Sequence, residues 1–243
     1  GTVTEAVLLT DDRNNYLAVA LLDGERAGVA YADITTGEFA TTQLDSQGTD
    51  RALRELARLS PAELVLSDGG DAYLEQGEAH SAEARRRHPW VASLECPLTL
   101  YDGWRFDEGV CRQALLHHFS VTTLAGYGCE GLPLAIRAAG VLVQYLREHQ
   151  PAALAQLTRL ATYSTERYMT LDLPTRRNLE LTQTLRERSV KGSLLGVLDL
   201  TLTPMGGRLL HRWINQPLLD REALERRLTA VELGVQHTAR RLA

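Results

Sequence analysis

The residue types of an anion-binding helix start occur at residues 204–208, which read PMGGR. Backbone N–H groups at Gly206 and Gly207 could bind a phosphate at a helix N-terminus, and Arg208 would add a cation. A phosphate loop, however, has the pattern G-x-x-x-x-G-K-[ST], which is absent around the single lysine, Lys191. Because a Thr-Leu-Thr turn rather than a strand precedes the glycines, the sequence favours close helix packing over phosphate binding.

Metal binding and hydrolysis are the other chemistries that the residue types could supply. His117 and His118 are adjacent, so on a helix they point about 100° apart and cannot chelate one ion together, with or without Cys111. The three cysteines, which also include Cys96 and Cys129, contain no C-x-x-C pair, so a zinc site or a disulfide framework is not indicated. No serine lies in a G-x-S-x-G context. We therefore expect no catalytic, cofactor-binding or metal-binding residue in this chain.

The charge of the chain is unevenly distributed. Residues 1–130 contain 10 Arg against 21 Asp and Glu, and residues 131–243 contain 16 Arg and Lys against 10 Asp and Glu. Neither half is basic enough for a free-standing nucleic-acid binder, whereas the asymmetry favours two domains. No apolar run approaches the roughly 18 residues of a membrane span. The start, Gly-Thr without a Met, leads us to expect a piece of a longer protein.

The elements of the first half alternate between strands and helices. Tyr16–Leu22 is a continuous apolar run that predicts a strand buried on both faces. The pattern after it predicts strands at 28–33, 38–44, 63–66 and 90–94, and helices at 50–59, 71–76 and 107–118. The first three strands follow one another through short turns, which is typical of an antiparallel meander. We predict an α/β domain over residues 1–130, with a mixed sheet and flanking helices.

A meander followed by a crossover helix and strand is also typical of an RNase H-like layer. A nuclease of that kind sets carboxylates on its central strands to hold two metal ions. The first strand, Tyr16–Leu22, has no acidic residue, and Asp33 stands at a strand end beside a turn. The sequence therefore favours an RNase H-like scaffold without catalytic acids. A diverged nuclease and an autonomous DNA-binding module stay open as alternatives.

The second half is predicted to be helical. An amphipathic helix begins near Leu132 and ends near Gln150, and a β-like piece follows at 167–173. Helices are predicted at 194–200, 204–215 and 221–236. We therefore predict a second, all-α domain over residues 131–243.

Long stretches of this chain resemble the MutS family of DNA mismatch-recognition ATPases. GVAYADITTGEFATTQL (28–44) resembles a strand pair of the connector domain, and GLPLAIRAAGVLVQYLREHQP (131–151) resembles the helix that leads from connector into core. Three further stretches resemble the start of the core, or lever, domain: LDLPTRRNLELTQTLRE (171–187), LLGVLDLTLTPMGGRLLHRWINQPLLD (194–220) and LERRLTAVELG (224–234). The order and spacing of these stretches match along nearly the whole chain.

The resemblance implies a central piece of a larger protein. It implies an RNase H-like connector without catalytic acids, which takes part in contacts with MutL, and core helices that act as levers. ATP, Mg²⁺ and mismatched double-stranded DNA would bind to domains outside this chain, and the whole protein would be a cytoplasmic, nucleoid-associated bacterial homodimer. The sequence Trp104-Arg-Phe106-Asp-Glu108 lacks the glycine spacing of the mismatch-reading G-x-F-Y-E motif. This chain is thus expected to be non-catalytic.

A conformational relay needs stiff helices that meet at well-packed junctions. We expect Pro204 to begin a helix after the cap Thr203, Trp213 to anchor that helix and Pro217 to end it. Arg177, Glu180 and Arg208 are candidates for ion pairs between helices. The full set of predicted junction residues is Arg177, Asn178, Glu180, Pro204, Gly206, Arg208, Trp213 and Pro217.

Overall fold

The computed structural model describes residues 15–69, 78–169 and 171–236, and the chain divides into two compact units. The first consists of the residues up to Ser164 together with Thr201–Arg208, and the second of Thr165–Leu200 with the residues from Leu209 onward. The helix predicted at residues 71–76 lies outside the described residues.

A mixed six-stranded sheet underlies the first unit. Its strands are β1 (Tyr16–Asp23), β2 (Arg26–Asp33), β3 (Glu38–Leu44), β4 (Glu63–Ser67), β5 (Leu98–Tyr101) and β6 (Ala161–Thr162). They lie in the order β5-β4-β1-β2-β3-β6. β1, β2 and β3 pair antiparallel, whereas the pairs β1–β4, β4–β5 and β3–β6 are parallel. The predicted mixed sheet with flanking helices is confirmed.

Helices cover both faces of this sheet. They are α1 (Gly48–Leu59), α2 (Glu78–Arg87), α3 (Glu108–Phe119), α4 (Pro133–His149) and α5 (Pro151–Leu154). β1 is apolar on both faces because both are buried: one set of its side chains packs with α3 and α4, and the alternate set packs with α1. The first set is Leu17, Val19 and Leu21; the second is Tyr16, Ala18 and Ala20.

α4 packs directly on the sheet of the first unit. The hydroxyl of Thr41 on β3 donates to the carbonyl of Ala135 on α4, 2.9 Å away. A Cβ atom on Gly28 of β2 would overlap the carbonyl of Leu134, so only glycine allows this approach. The sequence places the domain boundary at residue 130, whereas the packing of α4 extends the first unit to Ser164. An amphipathic pattern shows that a face is buried without showing which neighbour covers it.

The last strand of the parallel part differs from the prediction. Residues 90–94 were expected to form a strand, but Pro89–Val91 is a 3-10 helix and the strand is β5, Leu98–Tyr101. The prediction was wrong because Pro89 fixes its own φ and has no N–H for a ladder, which favours a helical turn there. The helix predicted at 107–118 is confirmed as α3, and the carboxylate of its N-cap Asp107 accepts from the N–H of Val110 at 3.1 Å.

The remaining elements of the chain are helical. They are α6 (Leu173–Asn178), α7 (Leu194–Leu198), α8 (Pro204–Asn215) and α9 (Arg221–Gln236). The predicted helices 204–215 and 221–236 are confirmed, and α7 ends two residues earlier than expected. Of the β-like piece predicted at 167–173, the described residues form one bridge, between Tyr168 and Leu218, before α6 begins. Within the described ranges, no helix is long and apolar enough to cross a membrane.

Candidate functional site

A guanidinium ties α6 to the end of α8 in the second unit. The side chain of Asp172 caps α6 by accepting from the N–H of Thr175 at 2.8 Å. One turn further on, Arg176 donates to the side-chain oxygen of Asn215 at 2.8 Å and to the carbonyl of the same residue. Asn215 is buried, so this two-point contact orders the last turn of α8. The predicted residue Arg177 is exposed.

The chain segments next to this contact are also joined. The N–H of Met169, before α6, donates to the carbonyl of Pro217, after α8, at 2.8 Å. Together with the Tyr168–Leu218 bridge, this bond holds the entry to α6 beside the exit from α8. Pro217 thus lies where the sequence predicts the end of the helix. Asn178 is the last residue of α6 and is exposed.

Glu180 closes a compact loop between α6 and α7. Its backbone has a left-handed φ of 45°, which turns the chain after α6. Its carbonyl accepts from the N–H of Leu194 at 3.0 Å, and its carboxylate accepts from the N–H of Leu185 at 2.7 Å. In α7, a Cβ atom on Gly196 would overlap the carbonyl of Val190. The close approach of this loop to α7 therefore requires a glycine at residue 196.

The two glycines at the start of α8 lie against the turn that precedes them. Pro204 is the first helical residue, and the Thr203 hydroxyl accepts from the N–H of Gly206 at 3.1 Å. A Cβ atom on Gly206 would come within 3.2 Å of the Cβ of Thr201. The sequence favours a close approach of a second helix at Gly206, whereas the nearest atoms belong to the turn Thr201–Thr203. The hydroxyl of Thr203 thus already accepts the hydrogen bond from the Gly206 N–H, which a phosphate would need.

Trp213 joins α8 to α9 through a cation–π contact. The guanidinium of Arg227 lies 4.5 Å from the centroid of the Trp213 ring, within the range of such contacts. Trp213 is partly buried, as is Arg208 one and a half turns before it. Most of the apolar side chains of α9 are exposed in this chain.

The structure brings together some predicted junction residues and adds others. Pro217 and Trp213 lie close to the contact that Arg176 makes with Asn215, whereas Pro204 and Gly206 lie at the opposite end of α8. Sequence reasoning missed Arg176, Asn215 and Gly196. Two sequence signals could have found them. One is the pair of arginines after the helix cap Asp172, and the other is Gly196, a glycine inside the predicted helix LLGVL.

In the first unit, Asp33 stabilises a turn and the thiols of Cys96 and Cys111 are protonated. Asp33 at the end of β2 accepts from the N–H and hydroxyl of Thr35 at 2.9 and 2.6 Å, and so stabilises the turn to β3. Burial raises the pKa of Cys96 to about 11 and that of Cys111 to about 12, so both thiols are protonated at neutral pH. Among the described residues, no group of three His, Cys, Asp or Glu side chains is placed to hold a metal ion.

An exposed tryptophan marks a surface of the first unit. Trp104 is 60% exposed and lies on the 3-10 helix Gly103–Phe106. The guanidinium of Arg105 lies 4.6 Å from the Trp104 ring centroid and 4.7 Å from that of Tyr101. Ion pairs to Glu148 at 2.6 Å and to Asp102 at 3.2 Å fix that guanidinium. The indole thus contacts a guanidinium that is fixed by ion pairs, while most of the Trp104 side chain faces solvent.

An open groove between α3 and α4 is linked to Arg105, the residue after this tryptophan. Gln144, which lines the groove, donates to the carbonyl of Arg105 at 3.0 Å. The groove has a volume of about 600 Å³, and Val110 and Ala114 are its apolar lining residues. We call Trp104, Arg105 and this groove the Trp104 surface. Its other lining residues are polar, charged or small: Asp107, Gly109, Gln113, His117 and Arg147.

Comparison with known proteins gives two consecutive family matches. The family described as MutS domain II matches residues 15–158, and the family described as MutS domain III matches residues 174–242. The chain is 46% identical to the DNA mismatch repair protein MutS of Thermosynechococcus vestitus over 237 residues, which cover 95% of the chain and 26% of the relative. It is 44% identical over 238 residues to MutS of Dehalococcoides mccartyi, covering 96% and 25%. It therefore spans about a quarter of the length of these relatives.

Proposed function

This chain belongs to the MutS family of DNA mismatch repair proteins, and we propose that it forms the connector and the first part of the core, or lever, of such a protein. The observation that carries this proposal is the pair of consecutive domain matches, 15–158 and 174–242. We place the boundary between connector and core after residue 158 rather than at residue 130, because α4 packs on the sheet. The strand order β3-β2-β1-β4-β5 supports an RNase H-like connector without nuclease activity, as does β1, whose single acidic residue, Asp23, is exposed at the strand end and pairs with Arg26.

The proposed role of this chain is mechanical and non-catalytic. It relays changes between mismatch-binding and ATPase domains of a longer protein through helices that meet at ordered junctions. The contact of Arg176 with Asn215 and the contact of Trp213 with Arg227 support this role, since both hold one helix against another. We propose that ATP, Mg²⁺ and mismatched double-stranded DNA bind to other domains of that protein. From the family resemblance we also propose that the whole protein is a cytoplasmic, nucleoid-associated homodimer.

We further propose that the first unit contacts MutL through the Trp104 surface. Tryptophan and arginine are enriched among the residues that contribute most to protein–protein binding, and rigid side chains lose little entropy on binding. Asp102, Asp107, Glu108 and Glu148 lie on or next to this surface, and two of them already pair with Arg105. The surplus of carboxylates favours a basic protein partner and disfavours DNA.

The relay is tested in the full-length protein with two junction variants, Gly206→Leu and Trp213→Ala. The leucine would press on Thr201, and the alanine removes the ring that Arg227 contacts. Both variants are expected to lose the change in ATP turnover that a mismatch produces, or to unfold the junction. Met205→Ala is the matched control, because Met205 lies on the same helix and is 75% exposed. Normal coupling together with normal thermal stability in both variants would refute the relay.

A further inference from the structure

A buried polar cluster contacts the residue that directly follows the last strand of the first unit. The hydroxyl of Tyr163 donates to the carboxylate of Glu55 on α1 at 2.5 Å. Arg58, one turn along α1, pairs with the same carboxylate through two nitrogens, one of them 2.8 Å from Oε2. We call Tyr163, Glu55 and Arg58 the exit latch. Tyr163 lies 108 residues after Glu55 along the chain, so the latch joins distant segments.

The cluster is charged although it is buried. Glu55 and Arg58 are both almost fully buried. Burial alone would lower the pKa of Arg58, but the hydrogen bond and charge of Glu55 outweigh burial and hold that pKa above its ordinary value. A buried ion pair is stable only when further hydrogen bonds satisfy its atoms. Tyr163 supplies such a bond, and its burial raises its own pKa well above the usual range, so the hydroxyl stays a donor.

The strand before Tyr163 is short. β6 consists of two residues, paired with Ala40 and Thr41 of β3. The backbone of Tyr163 adds two bonds: its N–H donates to the carbonyl of Thr41 at 3.1 Å, and its carbonyl accepts from the hydroxyl of Thr42 at 2.7 Å. So short an edge strand is weakly held by its ladder alone. Two side-chain contacts add to the attachment: the Thr162 hydroxyl donates to the carbonyl of Tyr127 at 2.7 Å, and Tyr163 contacts α1.

We propose that the exit latch is a conformational device that fixes the point at which the chain first leaves the first unit. The first stretch of that unit ends at Ser164, one residue after Tyr163, and the second unit begins at Thr165; the chain returns to the first unit at Thr201–Arg208. When the Tyr163–Glu55 bond breaks, β6 detaches and residues 161–164 become a flexible tether. The local part of this inference rests on the fold, and its regulatory part rests on the proposed relay function, since a relay through this chain must pass the exit.

Hydrogen exchange on the whole chain tests the local part. Tyr163→Phe keeps the ring and removes the hydroxyl, and we expect the amides of residues 161–164 to exchange about tenfold faster, as for loss of one charge-assisted bond. Tyr145→Phe is the matched control, because Tyr145 also donates to a buried carboxylate, that of Glu63, in the same unit. We expect it to leave the relative protection of residues 161–164 unchanged. Unchanged exchange in Tyr163→Phe, or an equal rise across β1 and β6 in both variants, would overturn the latch.

Mismatch-stimulated ATP turnover in the full-length protein tests the regulatory part. We expect Tyr163→Phe to reduce the stimulation at least about threefold. Faster exchange with normal stimulation would overturn the regulatory role while the local latch stands. If Gly206→Leu and Trp213→Ala, shown to be folded, also leave stimulation normal, the proposed relay itself fails.

Discussion

The hydroxyl of Tyr145 on α4 donates to the carboxylate of Glu63 on β4 across 2.7 Å, and both side chains are buried. The hydroxyl of Thr99 on β5 donates to the same oxygen at 2.6 Å. One carboxylate thus joins a helix to two parallel strands. This relationship is why α4 is part of the sheet unit and why a cut after residue 130 would divide a single core.

The Tyr145–Glu63 bond is expected to stabilise the first unit measurably. Tyr145→Phe leaves a buried carboxylate with one donor fewer, which lowers the free energy of unfolding by about 1–3 kcal/mol. Urea unfolding followed by circular dichroism measures this change. Tyr127→Phe is the control, since the Tyr127 ring stacks on Phe119 at 4.6 Å and the substitution keeps that contact. Equal stability of both variants would contradict the role of Glu63.

Replacing Gly140 is expected to destabilise the contact between α3 and α4. A Cβ atom there would overlap the backbone and Cβ of Cys111, whose side chain is fully buried. Gly140→Ala should therefore lower the free energy of unfolding by about 1–3 kcal/mol, as overpacking of a core does. Gly126→Ala is the matched control, because a Cβ at Gly126 meets nothing within 4 Å. Thermal unfolding of the two variants side by side decides the point, and equal midpoints would count against this packing.

Arg176 is expected to matter more to the second unit than an exposed arginine does. Arg176→Ala removes the bonds to Asn215 and should destabilise the second unit by about 1.5–3 kcal/mol, the usual range for bonds from a charged group. Cleavage by a protease near α6 and α8 should become faster. Arg186→Ala serves as the control because Arg186 is exposed in the loop before α7. The same cleavage rate in both variants would show that the contact contributes little.

The stability of the first unit is expected to fall in alkaline solution. Burial raises the pKa values of Tyr31 and Tyr145 above the ordinary 10.0. The nearby carboxylates raise them further, Glu38 acting on Tyr31 and Glu63 on Tyr145. Above that pH the unfolded chain releases protons that the folded chain keeps, so the free energy of unfolding falls by up to about 1.4 kcal/mol per pH unit for each tyrosine. Below about pH 9 this contribution is constant.

Urea unfolding at a series of pH values checks this dependence. The double variant Tyr31→Phe, Tyr145→Phe should show a shallower decline above about pH 10 than the unchanged chain. An identical slope in both proteins would mean that these hydroxyls are not shielded in the folded state.

Local patterns predicted some elements well and others poorly. The apolar run of β1 and the capped helix α3 follow from burial and capping rules that act within a few residues. The assignment of α4 to the first unit could not be predicted, because the same apolar face of α4 could pack on the preceding sheet or on the following helices. Likewise, the sequence does not show which of Arg176 and Arg177 contacts Asn215, because the position of α8 decides which side chain reaches it.

The contact with MutL is the part of the proposed function that a single measurement tests most directly. The affinity of this chain for the MutL protein of the same genome is measured by calorimetry for the unchanged chain, Trp104→Ala and the control Leu202→Ala, which removes another exposed apolar side chain. We predict binding by the unchanged chain and by Leu202→Ala, and at least about a tenfold loss in Trp104→Ala, the range of a residue central to an interface. Equal affinity of Trp104→Ala and the unchanged chain, or no binding by any of them, would contradict the proposal.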